Sequence, residues 1–146
     1  MIRAEENTIV SLAAHDDLAV RRLGPYNQAS SLQMSCAVSH NPNFGASRVL
    51  RLTGSMDSGA SDELLATIEM LLATDHLSNL IIDLEGVARM DSSGVGALLT
   101  ALRDSQKRGV RFALCGLPAP LHTMLERMRL NTLFEIRTTL EEALNL

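Results

Sequence analysis

From Leu32 onward the apolar positions alternate between two periods. Leu32-Gln33-Met34-Ser35-Cys36-Ala37-Val38 repeats every second residue, as a half-exposed strand does. Arg48-Val49-Leu50-Arg51-Leu52-Thr53 predicts a second strand, ending at Gly54. The turn cluster Asn41-Pro42-Asn43 with Gly45 joins the two as a hairpin. The spacing then becomes helical. Ser61-Asp62-Glu63 opens a helix with Leu64, Leu65, Ile68, Leu71 and Leu72 on one face.

Asn79-Leu80-Ile81-Ile82-Asp83-Leu84 is an almost unbroken apolar run, as in a central strand covered on both faces. After Asp91, the residues Val95, Leu98, Leu99 and Leu102 recur at helical spacing. Arg103, Asp104, Gln106 and Lys107 fill the opposite face, and Gly109 is the expected stop. Val110 to Cys115 predicts a strand. The turn from Gly116 to Pro120 leads into a helix whose stripe is Leu121, Met124, Leu125 and Met128, with prolines tolerated in its first turn. Leu133-Phe134-Glu135-Ile136 predicts a short strand. Thr139 with Glu142 forms a capping box for a last helix. The order β-β-α-β-α-β-α-β-α implies an α/β layer fold, with a mixed sheet of about four to five strands packed with about four helices.

Residues 1–30 are weakly patterned. Thr8 to Leu12 suits a short strand. Asp16 to Leu23 places acids first and bases last, the polarity of a short helix, stopped by Gly24-Pro25. This lead is expected to be an N-terminal extension to a domain over residues 31–146. Docking on the domain, pairing two chains and partly covering a partner site remain open as its roles.

Composition narrows the function. The chain has 146 residues, the length of one domain, and a net charge of -4 from 13 basic and 17 acidic residues. That balance, with no basic cluster longer than a pair, argues against nucleic acid and an anionic membrane surface. Tryptophan is absent and Tyr26 is the only tyrosine, so a base-stacking platform is not expected. Cys36 and Cys115 lie far apart in apolar strand-like segments and read as buried free thiols in a reducing compartment. No signal peptide or membrane-spanning run is evident, and a cytoplasmic location is expected.

His15, His40, His76 and His122 are scattered, without metal-ligand spacing. Neither a phosphate-binding P-loop nor a G-x-S-x-G elbow is present. The expectation is a chain without metal, cofactor or catalytic machinery. What remains is Met90-Asp91-Ser92-Ser93-Gly94-Val95-Gly96, where two hydroxyls beside an acid meet the start of a helix. Such a start offers unpaired N–H groups and the positive end of the helix dipole. Local reasoning leaves two readings: Asp91 or Ser92 is a simple cap, or the site performs anion chemistry.

Residues 31–146 resemble a STAS domain, and more narrowly the bacterial anti-sigma factor antagonists. The motifs are Leu52-Thr53-Gly54-Ser55-Met56-Asp57, then Ile81-Ile82-Asp83-Leu84, then Met90 to Gly96, then Leu130 to Ile136 with Thr139 to Leu144. The resemblance implies that Ser92, directly after the motif aspartate, is phosphorylated by a partner that is both anti-sigma factor and serine kinase. The unphosphorylated protein would bind that partner, the phosphorylated one would release it, and a phosphatase would reset the switch. Asp57, Asp91, Ser92, Ser93, Gly94, Val95 and Gly96 are the implied partner surface, with Asp91 orienting the loop and Ser93 a fallback acceptor or cap. One departure stands out: Ser55 occupies a position where many members carry glutamate. A nucleotide or small-ligand sensor and a transporter-associated scaffold are the alternatives, with Ser92 a mere cap in the scaffold.

Overall fold

The structure is a computed structural model. It describes residues 9–11, 19–22, 32–41, 45–73 and 77–144. Among the described residues, seven strands form one sheet in chain order: β1 (Ile9–Ser11), β2 (Ala19–Arg22), β3 (Leu32–Asn41), β4 (Gly45–Met56), β5 (Leu77–Met90), β6 (Arg111–Cys115) and β7 (Glu135–Arg137). Pairing is antiparallel from β1 to β4 and parallel from β4 to β7. The described residues also form four helices: α1 (Ser58–Leu72), α2 (Ser92–Lys107), α3 (Ala119–Arg127) and α4 (Leu140–Leu144). The order from Leu32 is the predicted one, with five strands and four helices in a mixed α/β arrangement.

Two features of the lead bear on the expectations. Ile9–Ser11 is a strand, within the segment expected to be one. The helix expected over Asp16 to Leu23 is corrected, because Ala19–Arg22 is strand β2, paired with Arg22 opposite Ser35 and Ala19 opposite Val38. An isolated helix that short is marginal in water, whereas the open edge of β3 offers a row of unpaired backbone groups. The stop at Gly24-Pro25 and the turn residues Pro42 and Asn43 lie outside the described residues. Asn41 opposite Gly45 closes the expected hairpin.

Side-chain alternation separates two apolar layers. Leu32, Met34, Leu50, Leu52, Leu80, Ile82, Leu84 and Leu114 face the side on which α1, α2 and α3 pack. Ala37, Val49, Ile81, Ala113 and Cys115 face the side covered by α4 through Ala143 and Leu144. The central β5 therefore needs the near-continuous apolar run seen in its sequence. On α1, Leu64, Ile68, Leu71 and Leu72 are buried, as the spacing predicts. The buried face of α2 is made instead of Gly94, Val95, Ala97, Leu98, Ala101 and Ser105, while Leu99 and Leu102 are partly buried. On α3, Leu121 and Leu125 are buried, but Met128 is 44% exposed because the helix ends at Arg127.

Both cysteines are buried free thiols. Burial, and secondarily the nearby Asp83 carboxylate, pushes the Cys115 thiol up to about 12. Among the described residues, no helix is long and apolar enough to cross a membrane.

Candidate functional site

Two helices start side by side because two parallel strands end together. Met56 of β4 lies opposite Met90 of β5, and the next residue in each chain segment is an aspartate. Register shifts opposite Arg51–Thr53 and Gly54–Ser55, each with one extra residue on β5, bring these ends into alignment. Gly54 takes a positive φ of 110° between Thr53 and Ser55, a conformation a side chain would strain. The Asp91 N–H then donates to the Met56 carbonyl across the strand ends, at 3.2 Å.

Each aspartate caps the helix that follows it, with nearly identical extended backbones. Asp57 has φ -100° and ψ -172°, and Asp91 has φ -102° and ψ -175°. Asp57 Oδ1 accepts from the Ala60 N–H at 3.0 Å. Asp91 Oδ1 accepts from the N–H groups of Ser93 at 3.0 Å and Gly94 at 3.2 Å, and from the Ser93 hydroxyl. The Ser93 hydroxyl bond, followed by the Gly94 N–H, holds the Asp91 carboxyl below the usual carboxylate range. Ser61, buried at the start of α1, donates to the Asp57 carbonyl at 2.8 Å. Its hydroxyl also lies 3.3 Å from that of Ser93, joining the two helix starts.

The cap is therefore Asp91. Ser92 and Ser93 are the first residues inside α2, so Ser93 is not the cap. Ser92 is exposed, as are Asp57, Asp91 and Gly96, and Ser93 is half-buried. Gly94 and Val95 differ from the rest of the predicted surface. Val95 is 1% exposed within the helix-side core, so its side chain packs inward and does not face a partner. Gly94 is buried too, and a Cβ there would come within 2.7 Å of Met90 Cγ and 3.2 Å of Met56 Cβ. Both residues seat the helix start on the strand ends. At Gly96 a Cβ would meet nothing within 4 Å, so that face of the entrance is open.

Beside the two caps lies a groove of about 530 Å³ between the strand ends and the start of α3. Asp57, Asp91 and Ser55 supply part of its polar lining, Arg89 its cationic side chain, and Pro120 and Met124 an apolar wall. Sequence reasoning missed Arg89, the link from Ser61 to Ser93 and the capping role of Asp57. The triplet Met-Asp-Ser occurs at both 56–58 and 90–92, and that repetition is the signal for the paired caps. Of the histidines, His122 is on the surface, 3.6 Å from Glu126, and His15 and His76 lie outside the described residues.

Residues 36–143 match the family model described as STAS domain. An anti-sigma F factor antagonist of Paenibacillus polymyxa is 25% identical over 97 residues, covering 66% of this chain and 80% of the relative. One from Lysinibacillus sphaericus is 35% identical over 72 residues, covering 49% of this chain and 61% of the relative. Among solved structures, the anti-sigma factor antagonist SpoIIAA in its unphosphorylated form superposes with a TM-score of 0.59 at 26% identity. That match covers 68% of this chain and 85% of SpoIIAA.

Proposed function

The chain belongs to the STAS domain family, and from that premise we propose that it is an anti-sigma factor antagonist switched by phosphorylation of Ser92. The observation that carries this reading is the exposed Ser92, the first residue of an aspartate-capped helix whose start is joined to a second aspartate-capped start through Ser93 and Ser61. Relatives named as anti-sigma F factor antagonists support the partner class. The kinase, in this reading, is the anti-sigma factor itself, and a separate phosphatase restores the free hydroxyl. Residues 31–146 act as the binding domain, in the cytoplasm.

The capping geometry bears on how a phosphate would act. A helix start ordinarily holds an anion through its free N–H groups. Here Asp91 already occupies those of Ser93 and Gly94. A phosphate on Ser92 adds about 1.5–2 negative charges beside that carboxylate. It meets competition for donors inside the domain and projects toward the partner. Covering it would require stripping its water and fitting its bulk. A thousandfold loss of affinity needs about 4 kcal/mol, within the range that charge pairs at an interface reach. No rearrangement of the core is needed in this reading, since the contacts of Asp91, Ser93 and Ser61 that hold the entrance do not use the Ser92 side chain.

The test is incubation with ATP and each anti-sigma factor kinase of the source organism, followed by mass spectrometry. The reading expects one phosphate per chain on Ser92 and none on the Ser92→Ala variant. Incorporation that persists in Ser92→Ala contradicts the site, and no incorporation with any kinase contradicts the switch.

A further inference from the structure

We propose, resting on the reading above, that Arg89 selects the partner by pairing with a carboxylate that the partner brings into the groove beside the caps. Arg89 is the penultimate residue of β5, exposed and lining the same groove as Asp57 and Asp91. Four other arginines of the domain are tied down, whereas Arg89 is the one that lines the groove. Arg51 binds Asp83, Arg111 and Arg137 bind Glu135, and Arg108 donates to the Leu72 carbonyl. The Arg89 side chain makes no ion pair or hydrogen bond with the described residues, although two carboxylates line its groove.

A partner that covers Asp57, Asp91 and Ser92 also covers this groove and removes Arg89 from water. A guanidinium buried without an acceptor is strongly unfavourable. The planar fork of arginine matches a carboxylate with two parallel hydrogen bonds. Pro120 and Met124 supply the apolar wall that would exclude water from such a pair. Arg89 repels a basic side chain set directly against it, while Asp57 and Asp91 in the same groove attract one set beside them, so the groove discriminates by where the partner's charges lie. The occupant is thus an acidic side chain on the anti-sigma factor, placed next to residues that contact Pro120 and Met124.

The experiment uses the full chain and the kinase that phosphorylates wild-type Ser92, with affinities from calorimetry. Arg89→Ala is expected to bind about tenfold more weakly, and Arg89→Glu about a hundredfold or more. Replacing the facing acidic residue of the kinase by arginine should restore binding to Arg89→Glu. The exposed position leaves the fold intact, checked by unchanged circular dichroism and urea midpoint. Arg89→Glu binding within about twofold of wild type overturns this inference alone. Failure of the wild type to bind any kinase overturns the proposed function, and this inference with it.

Discussion

Gly94 and Gly96 stand two residues apart in one helical turn and answer to different constraints. A methyl at Gly94 would collide with Met90 and Met56, whereas one at Gly96 meets open space. Gly94→Ala should therefore destabilise the domain by about 1–3 kcal/mol, the usual cost of overpacking. Gly96→Ala should stabilise it by about 0.5–1 kcal/mol, because alanine is the better helix former. Urea denaturation of the two variants checks both signs. If Gly96 is also part of the partner surface, its alanine variant gains stability while losing affinity. Sequence reasoning singled out both glycines with no means of telling them apart, because the collision depends on the pairing of Met56 with Met90.

Asp91 sets a pH dependence at the same scale. Its carboxyl titrates below the usual range in the folded protein, chiefly through the Ser93 hydroxyl and then the Gly94 N–H. The folded value lies below the unfolded one. Its stabilisation is thus present above the ordinary carboxylate range and is lost as pH falls through the folded value. Glu135, held down mainly by Arg111, has the same sign. The urea midpoint should fall on acidification below about pH 4, and less steeply in Asp91→Asn. An identical pH profile for that variant would remove the cap from the account.

At the scale of elements, the short pieces depend most on tertiary contacts. Strand β7 has three residues and α4 five, too few to persist alone. Arg111 of β6 ties both to the sheet. Its guanidinium pairs with Glu135, and Nη1 donates to the Ala143 carbonyl at 2.9 Å. Arg111→Met should cost about 1.5–3 kcal/mol, the range for hydrogen bonds to charged groups. Hydrogen exchange should show faster opening of α4 than of α2. The sequence signalled α4 through its capping box, and the Glu142 N–H does bond Thr139 Oγ1 at 3.1 Å. It did not signal Arg111, whose partners are 24 and 32 residues away.

The helix starts show the same division between local and distant information. The sequence pattern predicts the opening of α1 at Ser61, but the cap is Asp57 and the helix begins at Ser58. Ser58-Gly59-Ala60 carries no apolar periodicity, so only the repeated Met-Asp-Ser triplet marks that turn. The charge order of Asp16 to Leu23 is a local signal and predicts a helix where Ala19–Arg22 forms strand β2. The free edge of β3 that recruits Ala19–Arg22 is not local. Leu98, by contrast, was legible from spacing and is fully buried. Its replacement by alanine should cost about 2–5 kcal/mol.

For the whole molecule, the order of elements from Leu32 was readable because each alternates cleanly between strand and helix periods. The sheet is wider than expected by β1 and β2, both on the antiparallel side. The candidate surface sits elsewhere, where the parallel strands β4 and β5 end and α1 and α2 begin. The two motifs that form it are 34 positions apart, as Asp57 and Asp91 show. Parallel pairing makes them neighbours, so the surface is a product of topology rather than of either motif alone. Arg89 lines the groove beside it, a placement that local patterns could not reveal.

The central claim is that one phosphate at Ser92 governs partner affinity, and calorimetric titration of the cognate anti-sigma factor kinase tests it directly. The titrations compare the unphosphorylated chain, the chain phosphorylated on Ser92, Ser92→Asp and Ser92→Ala. The account predicts tight binding for the unphosphorylated chain and Ser92→Ala, weaker binding for Ser92→Asp, and a loss of about a thousandfold for the phosphorylated chain. Equal affinity of the phosphorylated and unphosphorylated chains would contradict it.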